Sequence, residues 1–200
     1  MSSLAIAPPG ATLPDMSRPE RPARYADVEA LPEGVVGEIL DGVLYTHPRP
    51  GSPHALASSA IGEELGPPFK RGRGGPGGWV ILWEPELHLV EDVIVPDLAG
   101  WRRERMPEVP TAAAFTLAPD WVCEVLSPST EKVDRAVKLP IYARRQVSHV
   151  WLVDPIEQTL EILRLDGESY RIAAVHAEAA VVRAAPFEAI ELGLEVLWAR

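Results

Sequence analysis

Three carboxylates stand where the alternation of the surrounding sequence calls for apolar side chains. Glu124 shares a strand face with Val122 and Leu126 while Cys123 and Val125 fill the other, so the strand reads as buried on both sides with one acid inside it. Asp97 keeps the parity of Val93 and Val95 and follows Pro96 where a strand meets a loop; Glu38 alternates with Val36 and Leu40. An ionised carboxylate in such a place is costly unless it is neutralised, paired or bound to a metal. One such acid is as readily a salt-bridge partner as a ligand. Three of them, with a lysine available from a helix, suit a hard divalent cation such as Mg²⁺, which takes oxygen ligands and uses one or two carboxylates. The matching chemistry is phosphodiester hydrolysis, in which a cation activates water and an ammonium nearby orients it or offsets developing charge.

The elements that must position these acids follow from pattern and punctuation. Residues 1–24 carry Pro8, Pro9, Pro14, Pro19 and Pro22 among small and polar residues and read as an extended arm. A short helix is predicted over 25–31, and strands 35–40 and 43–46 flank Asp41-Gly42, the dipeptide that most favours a two-residue hairpin. Ser52-Pro53 starts a helix to about residue 65, with Ala57, Ile61 and Leu65 at helical spacing. The stretch 67–78 reads as a mobile basic loop with Lys70, Arg71 and Arg73. Its Gly72-x-Gly74-x-x-Gly77 is rejected as a dinucleotide fingerprint because it follows a helix and opens a strand, the reverse of the required order.

Strands are expected at 79–83, 86–90, 93–95 and 121–126, with Arg102, Arg103 and Arg105 in a loop between the last two. A helix over 130–147 is interrupted at Pro140, a buried strand spans 150–153, and 160–165 with 170–175 form a further hairpin around Asp166-Gly167, with less regular strands after it. The order gives an α/β (α+β) fold: one domain over 25–200, core 25–165 plus a C-terminal β extension 166–200, built on a mixed sheet flanked by helices.

Composition agrees. The 200-residue chain is 46% hydrophobic and 24% charged, enough apolar material to fold unaided, and its net charge of -10 argues mildly against a nonspecific nucleic-acid coat. The single Cys123 excludes an intrachain disulfide and a cysteine zinc cluster, and reads as a small strand hydrophobe. With no apolar run of membrane-spanning length and no signal-peptide pattern, a cytoplasmic protein is expected. His54 shares a helix face with Ala57, Ile61 and Leu65, so a core or capping role is weighed ahead of a phosphate or metal-shell role; His47, His88, His149 and His176 show no zinc spacing. Of six tryptophans, Trp101 beside Arg102 and Arg103 is the candidate for stacking on a base or partner. Lys138 has a plain alternative as a solvated helix lysine, with Asp134 and Arg135 in surface pairs. Glu84 and Glu86, around Pro85, are loop acids that nothing places.

The runs Glu38-Ile39-Leu40-Asp41-Gly42, Ser52-Pro53-His54, Val95-Pro96-Asp97-Leu98, Cys123-Glu124-Val125-Leu126-Ser127-Pro128-Ser129-Thr130, Asp134-Arg135 with Lys138 and Tyr142, and Val150-Trp151-Leu152-Val153-Asp154-Pro155 resemble the Uma2 family, also called DUF820, of the PD-(D/E)XK or restriction-endonuclease-like superfamily. The resemblance implies that Pro96-Asp97 and Glu124-Val125-Leu126 are the two halves of the motif, 27 residues apart. Leu126 stands where the superfamily usually has lysine, and the resemblance implies that Lys138 from the following helix would replace it. Glu38 would be the additional acid and the Val125 carbonyl a further ligand. The cofactor implied is Mg²⁺, with Mn²⁺ as substitute, and the partner is nucleic acid, DNA in the first instance, with His54, Lys70, Arg71, Arg73, Arg102, Arg103 and Arg105 supplying phosphate contacts. A homodimer is expected from the apolar edges of the C-terminal strands. Two classes stay open: a metal-dependent endonuclease, and a catalytically silent dimeric binding or regulatory protein that keeps the acidic pocket.

Overall fold

The structure, a computed structural model, describes residues 21–47 and 51–199; most of the proline-rich arm therefore lies outside the described residues. A short helix α1 (Tyr25–Glu29) leads into β1 (Val36–Leu40) and β2 (Val43–His47), whose turn has Asp41 at φ 50° and Gly42 at φ 76°, as its two left-handed positions require. Helix α2 (Ser52–Leu65) carries Pro53 in its first turn and runs into a wider π-helical turn, Gly66–Lys70. The predicted mobile loop is therefore shorter than the sequence suggested, because Pro68 and Phe69 are buried and hold this turn on the core.

The main sheet has the order β10-β9-β8-β7-β6-β3, with β3 (Trp79–Trp83), β6 (Leu98–Arg102), β7 (Trp121–Val125), β8 (His149–Asp154), β9 (Thr159–Asp166) and β10 (Ser169–Ala177). Only β7 and β8 are parallel. Parallel neighbours need a crossover, and residues 131–144 supply it. A second sheet, β2-β1-β5-β4, adds β4 (Leu87–Leu89) and β5 (Asp92–Ile94), and β11 (Val181–Val182) pairs with β12 (Leu192–Gly193).

β6 is the element that sequence reading left in a loop. Gly100 weakens its strand signal, yet the glycine is needed: a Cβ there would lie 3.0 Å from the Trp121 ring and 3.3 Å from Trp79. Trp101 is fully buried against Phe115 and donates its indole N–H to the Leu117 carbonyl, which corrects its assignment as a stacking surface.

Alternation along β7 sets the two faces. Trp121, Cys123 and Val125 pack with Ala57, Ile61 and Leu65 of α2, while Val122 and Leu126 pack with Ile141, Tyr142 and Leu152 on the other side. The crossover consists of α3 (Glu131–Val133), a π-helical turn (Asp134–Lys138) and α4 (Leu139–Arg144). Leu139 donates its N–H to the Asp134 carbonyl across the widened turn, and Pro140, which has no N–H to give, sits in the first turn of α4 where none is needed.

Gly100→Ala should cost about 1–3 kcal/mol by overpacking two buried indoles. Thermal unfolding would register it as a drop of roughly 2–4 °C per kcal/mol, and an unchanged midpoint would mean that the rings have room to move.

Candidate active site

Because Leu98 is level with Cys123 in the β6–β7 pair, the preceding residue, Asp97, falls beside Glu124. One hydrogen bond locks that register: Asp97 Oδ2 accepts the Val125 N–H at 2.7 Å. Its other oxygen lies 3.0 Å from His54 Nε2, at the N-terminal end of α2. The Tyr142 hydroxyl donates to Glu124 Oε1 from α4.

Lys138 binds the remaining acids together. Its Nζ is 3.1 Å from Glu38, 3.3 Å from Asp134 and 3.4 Å from Glu124, with only 4% of the residue exposed. The solvated-lysine reading is therefore corrected, and Asp134, taken for a surface partner, is buried beside it. Glu38 is further held by the Val95 N–H at 2.8 Å and lies 3.3 Å from His47 Nε2.

Burial is the largest influence on each of these groups, but the outcomes differ. For Glu124 it drives the carboxyl well above the usual carboxylate range, and the charges of Asp134, Asp97 and Glu38 add to it against the pull of Lys138. Asp134 is raised for the same reason. At Glu38, Lys138, His47 and the Val95 N–H outweigh burial and hold the carboxyl below its ordinary value. Burial alone would lower the Lys138 ammonium; Glu124, Glu38 and Asp134 overcome it and keep the group charged. Burial and the Glu124 charge push Tyr142 well up, so its hydroxyl remains a donor.

Asp97, Glu124, Val125, Lys138 and His54 line one cavity of roughly 70 Å³ together with Val36, His47, Glu84, Ser127, Ser129, Thr130 and Asp134. Among the described residues no three His, Cys, Asp or Glu side chains form a ready-made metal cage. Lys70, Arg71, Arg73, Arg102, Arg103 and Arg105 do not line the cavity. Arg102 ends the strand that Asp97 precedes, roughly 17 Å away at about 3.3 Å per residue, with its guanidinium over Trp79, and Arg105 is paired to Asp120.

The sequence carried unused signals for two of the missed residues. Asp134 and Lys138 are spaced i, i+4, and the Asp41-Gly42 register puts Glu38 opposite Tyr45, so His47 falls on the same face. Glu84 had no such signal. It reaches the wall through a positive φ of 44° and an N–H bond to the Asp97 carbonyl at 3.0 Å.

Removing Lys138 strands three buried acids, so Lys138→Ala should destabilise the chain by about 3–5 kcal/mol in urea unfolding. Glu124 behaves oppositely. Its folded-state affinity for a proton exceeds the unfolded one, so the stability it permits is fully present below pH about 4.5 and is lost as pH rises toward its folded pKa. In chelator at pH 8, Glu124→Gln should therefore melt higher than wild type, the gap closing toward pH 4.5. A gap that widens on acidification would overturn this account of the charge balance.

A family model, Uma2, described as "Putative restriction endonuclease", matches residues 23–196. A solved structure of a "putative nuclease belonging to DUF820" from Anabaena variabilis ATCC 29413 is similar with a TM-score of 0.70 and 24% identity over 89% of this chain and 98% of that one, which shows a common fold. No curated protein matches. The family description supports a nuclease. Because the match runs from before α1 into the last helical turn it takes in the whole cavity, and the chain belongs to the Uma2 family of "putative restriction endonucleases".

Proposed function

We propose that this chain hydrolyses phosphodiester bonds of nucleic acid, DNA in the first instance, as a Mg²⁺-dependent endonuclease in which Mn²⁺ can substitute. The observation that carries this reading is the Asp97–Val125 hydrogen bond, which sets two carboxylates side by side at the cavity with a buried, charged lysine behind them.

The residues suit such a cation. Asp97, Glu124 and the Val125 carbonyl offer oxygen only; the Val125 N–H is spent on Asp97, and a strand residue projects its N–H and C=O to one side, so the carbonyl faces the same way. Burial is what chiefly keeps Glu124 from ionising, and the charges of Asp134, Asp97 and Glu38, set against a single ammonium, add to it. A volume of roughly 70 Å³ has room for a partly hydrated ion. Two carboxylates agree with the habit of Mg²⁺ of keeping several waters. Bound there, the cation would supply Lewis acidity toward a phosphoryl oxygen and acidify a neighbouring water.

The chain's own residues do the rest. His54 and the Val125 N–H fix Asp97 at both oxygens. Glu124, held by the Tyr142 hydroxyl and beside the Lys138 ammonium, presents its carboxyl to the cavity next to Asp97. Lys138 faces three acids with its three donors, so it holds Glu38 and Glu124 in place before it can serve a phosphate. Full chain with Mg²⁺ should nick plasmid DNA and stop in chelator, and Asp97→Asn and Glu124→Gln should each slow cleavage by about 10²–10⁴-fold. Cleavage that persists in chelator, or in Asp97→Asn, defeats the proposal. Metal binding by calorimetry without hydrolysis of any DNA or RNA form would favour the silent binding protein.

A homodimer belongs to the same reading. β10 is an edge strand of nine residues, and the bulge between Ile172 and Ala174 sets Ile172 opposite Leu163 and Val175 opposite Glu161, so both exposed side chains share one face. Sedimentation at micromolar concentration should give about twice 21.8 kDa, and Ile172→Lys should return it to monomer. A wild-type monomer rejects the interface.

A further inference from the structure

We propose that Trp83 and Lys70 form a stacking platform for an unpaired nucleobase beside the cavity, so that the nucleic acid is single-stranded where it is attacked. The cleavage role of the neighbouring cavity rests on the endonuclease reading above; the binding role of the platform does not.

The fold treats Trp83 unlike the core tryptophans. Trp79, Trp101, Trp121 and Trp151 are buried, whereas Trp83, the last residue of β3, is 44% exposed. A single exposed apolar side chain is ordinary, but this one is seated. One edge of its indole lies over Gly62 of α2, where a Cβ would come within 1.9 Å of the ring, so the glycine is what admits it. The Lys70 ammonium stands over the ring 5.4 Å from its centre, a cation–π pair that also offers a phosphate donor next to an aromatic surface.

Its position links it to the chemistry. Trp83 pairs with Leu98, the neighbour of Asp97, and the next residue, Glu84, both lines the cavity and bonds to the Asp97 carbonyl. Around that cavity the charge is wrong for a polyanion: Glu84, Asp97, Glu124 and Asp134 line it, the chain carries -10 overall, and Arg102 at the far end of β6 is roughly 17 Å off. Affinity beside the attacked bond must then come largely from a contact that phosphate repulsion does not weaken. Stacking on an indole is such a contact, and a base can offer its face only when it has left the duplex.

The test uses the full chain in chelator, which stops hydrolysis, with a fluorescein-labelled oligothymidylate of about 15 nucleotides and a blunt duplex of equal length, read by anisotropy. Trp83→Ala should weaken single-strand binding roughly 5- to 150-fold, the equivalent of about 1–3 kcal/mol, while duplex binding changes less than about twofold. Trp83→Phe should keep most of the affinity. Gly62→Ala, which retains the indole but fills its seat, should lose it. A 5-iodouracil-substituted oligonucleotide should cross-link wild type at the peptide bearing Trp83, a measurement independent of how any variant folds. Wild-type affinity in Trp83→Ala, equal losses for both probes, or cross-links confined elsewhere overturn the platform. Mg²⁺-dependent cleavage by a chain whose binding ignores Trp83 would refute the platform and leave the endonuclease standing. Trp83-dependent binding without hydrolysis would do the reverse.

Discussion

Everything near the cavity depends on burying one ammonium among four carboxylates. Taking Lys138 and its partners out of water is expensive, and such clusters seldom repay that cost in stability. What the cluster does here is specify geometry. The crossover between β7 and β8 must present Asp134, Lys138 and Tyr142 to Glu124 despite a proline within it, and the π turn before Pro140 is how the chain does so. Glu38 arrives from the second sheet, so the same lysine joins the two sheets as well as a helix to a strand.

The acids were legible in the sequence because burial and charge conflict within a short window. Glu124 between Val122 and Leu126 breaks an alternation, and that break needs no knowledge of the fold. The Asp41-Gly42 hairpin was legible for a local reason too, since the turn dictates its residues. β6 was not, because the purpose of Gly100 is to let Trp79 and Trp121 close over the strand, a fact about residues 21 positions away on either side. Trp101 was misjudged by the same blindness: it adjoins charged residues in sequence, and only the packing of Phe115 against it shows that it is covered. The burial of Lys138 rested on three partners from separate elements, of which only Asp134 was within reach of local reading.

The electrostatics sharpen the functional reading. A cavity that repels phosphate makes little sense as a nucleic-acid site unless some positive charge enters it, and Lys138 is already committed to three acids. The deficit is local and unequally shared: Glu38 keeps its charge because the lysine, a histidine and a backbone N–H serve it, while Glu124 is left with the poorest compensation. The acid that is hardest to ionise is thus the one on the cavity wall beside Asp97, where an added cation would relieve it most. On this view metal and substrate are coupled through charge. On the proposed reading a cation would turn a repulsive wall into a tolerable one for the phosphate, and the Trp83 ring, one residue before Glu84 of the cavity wall, would hold a base without adding to that repulsion.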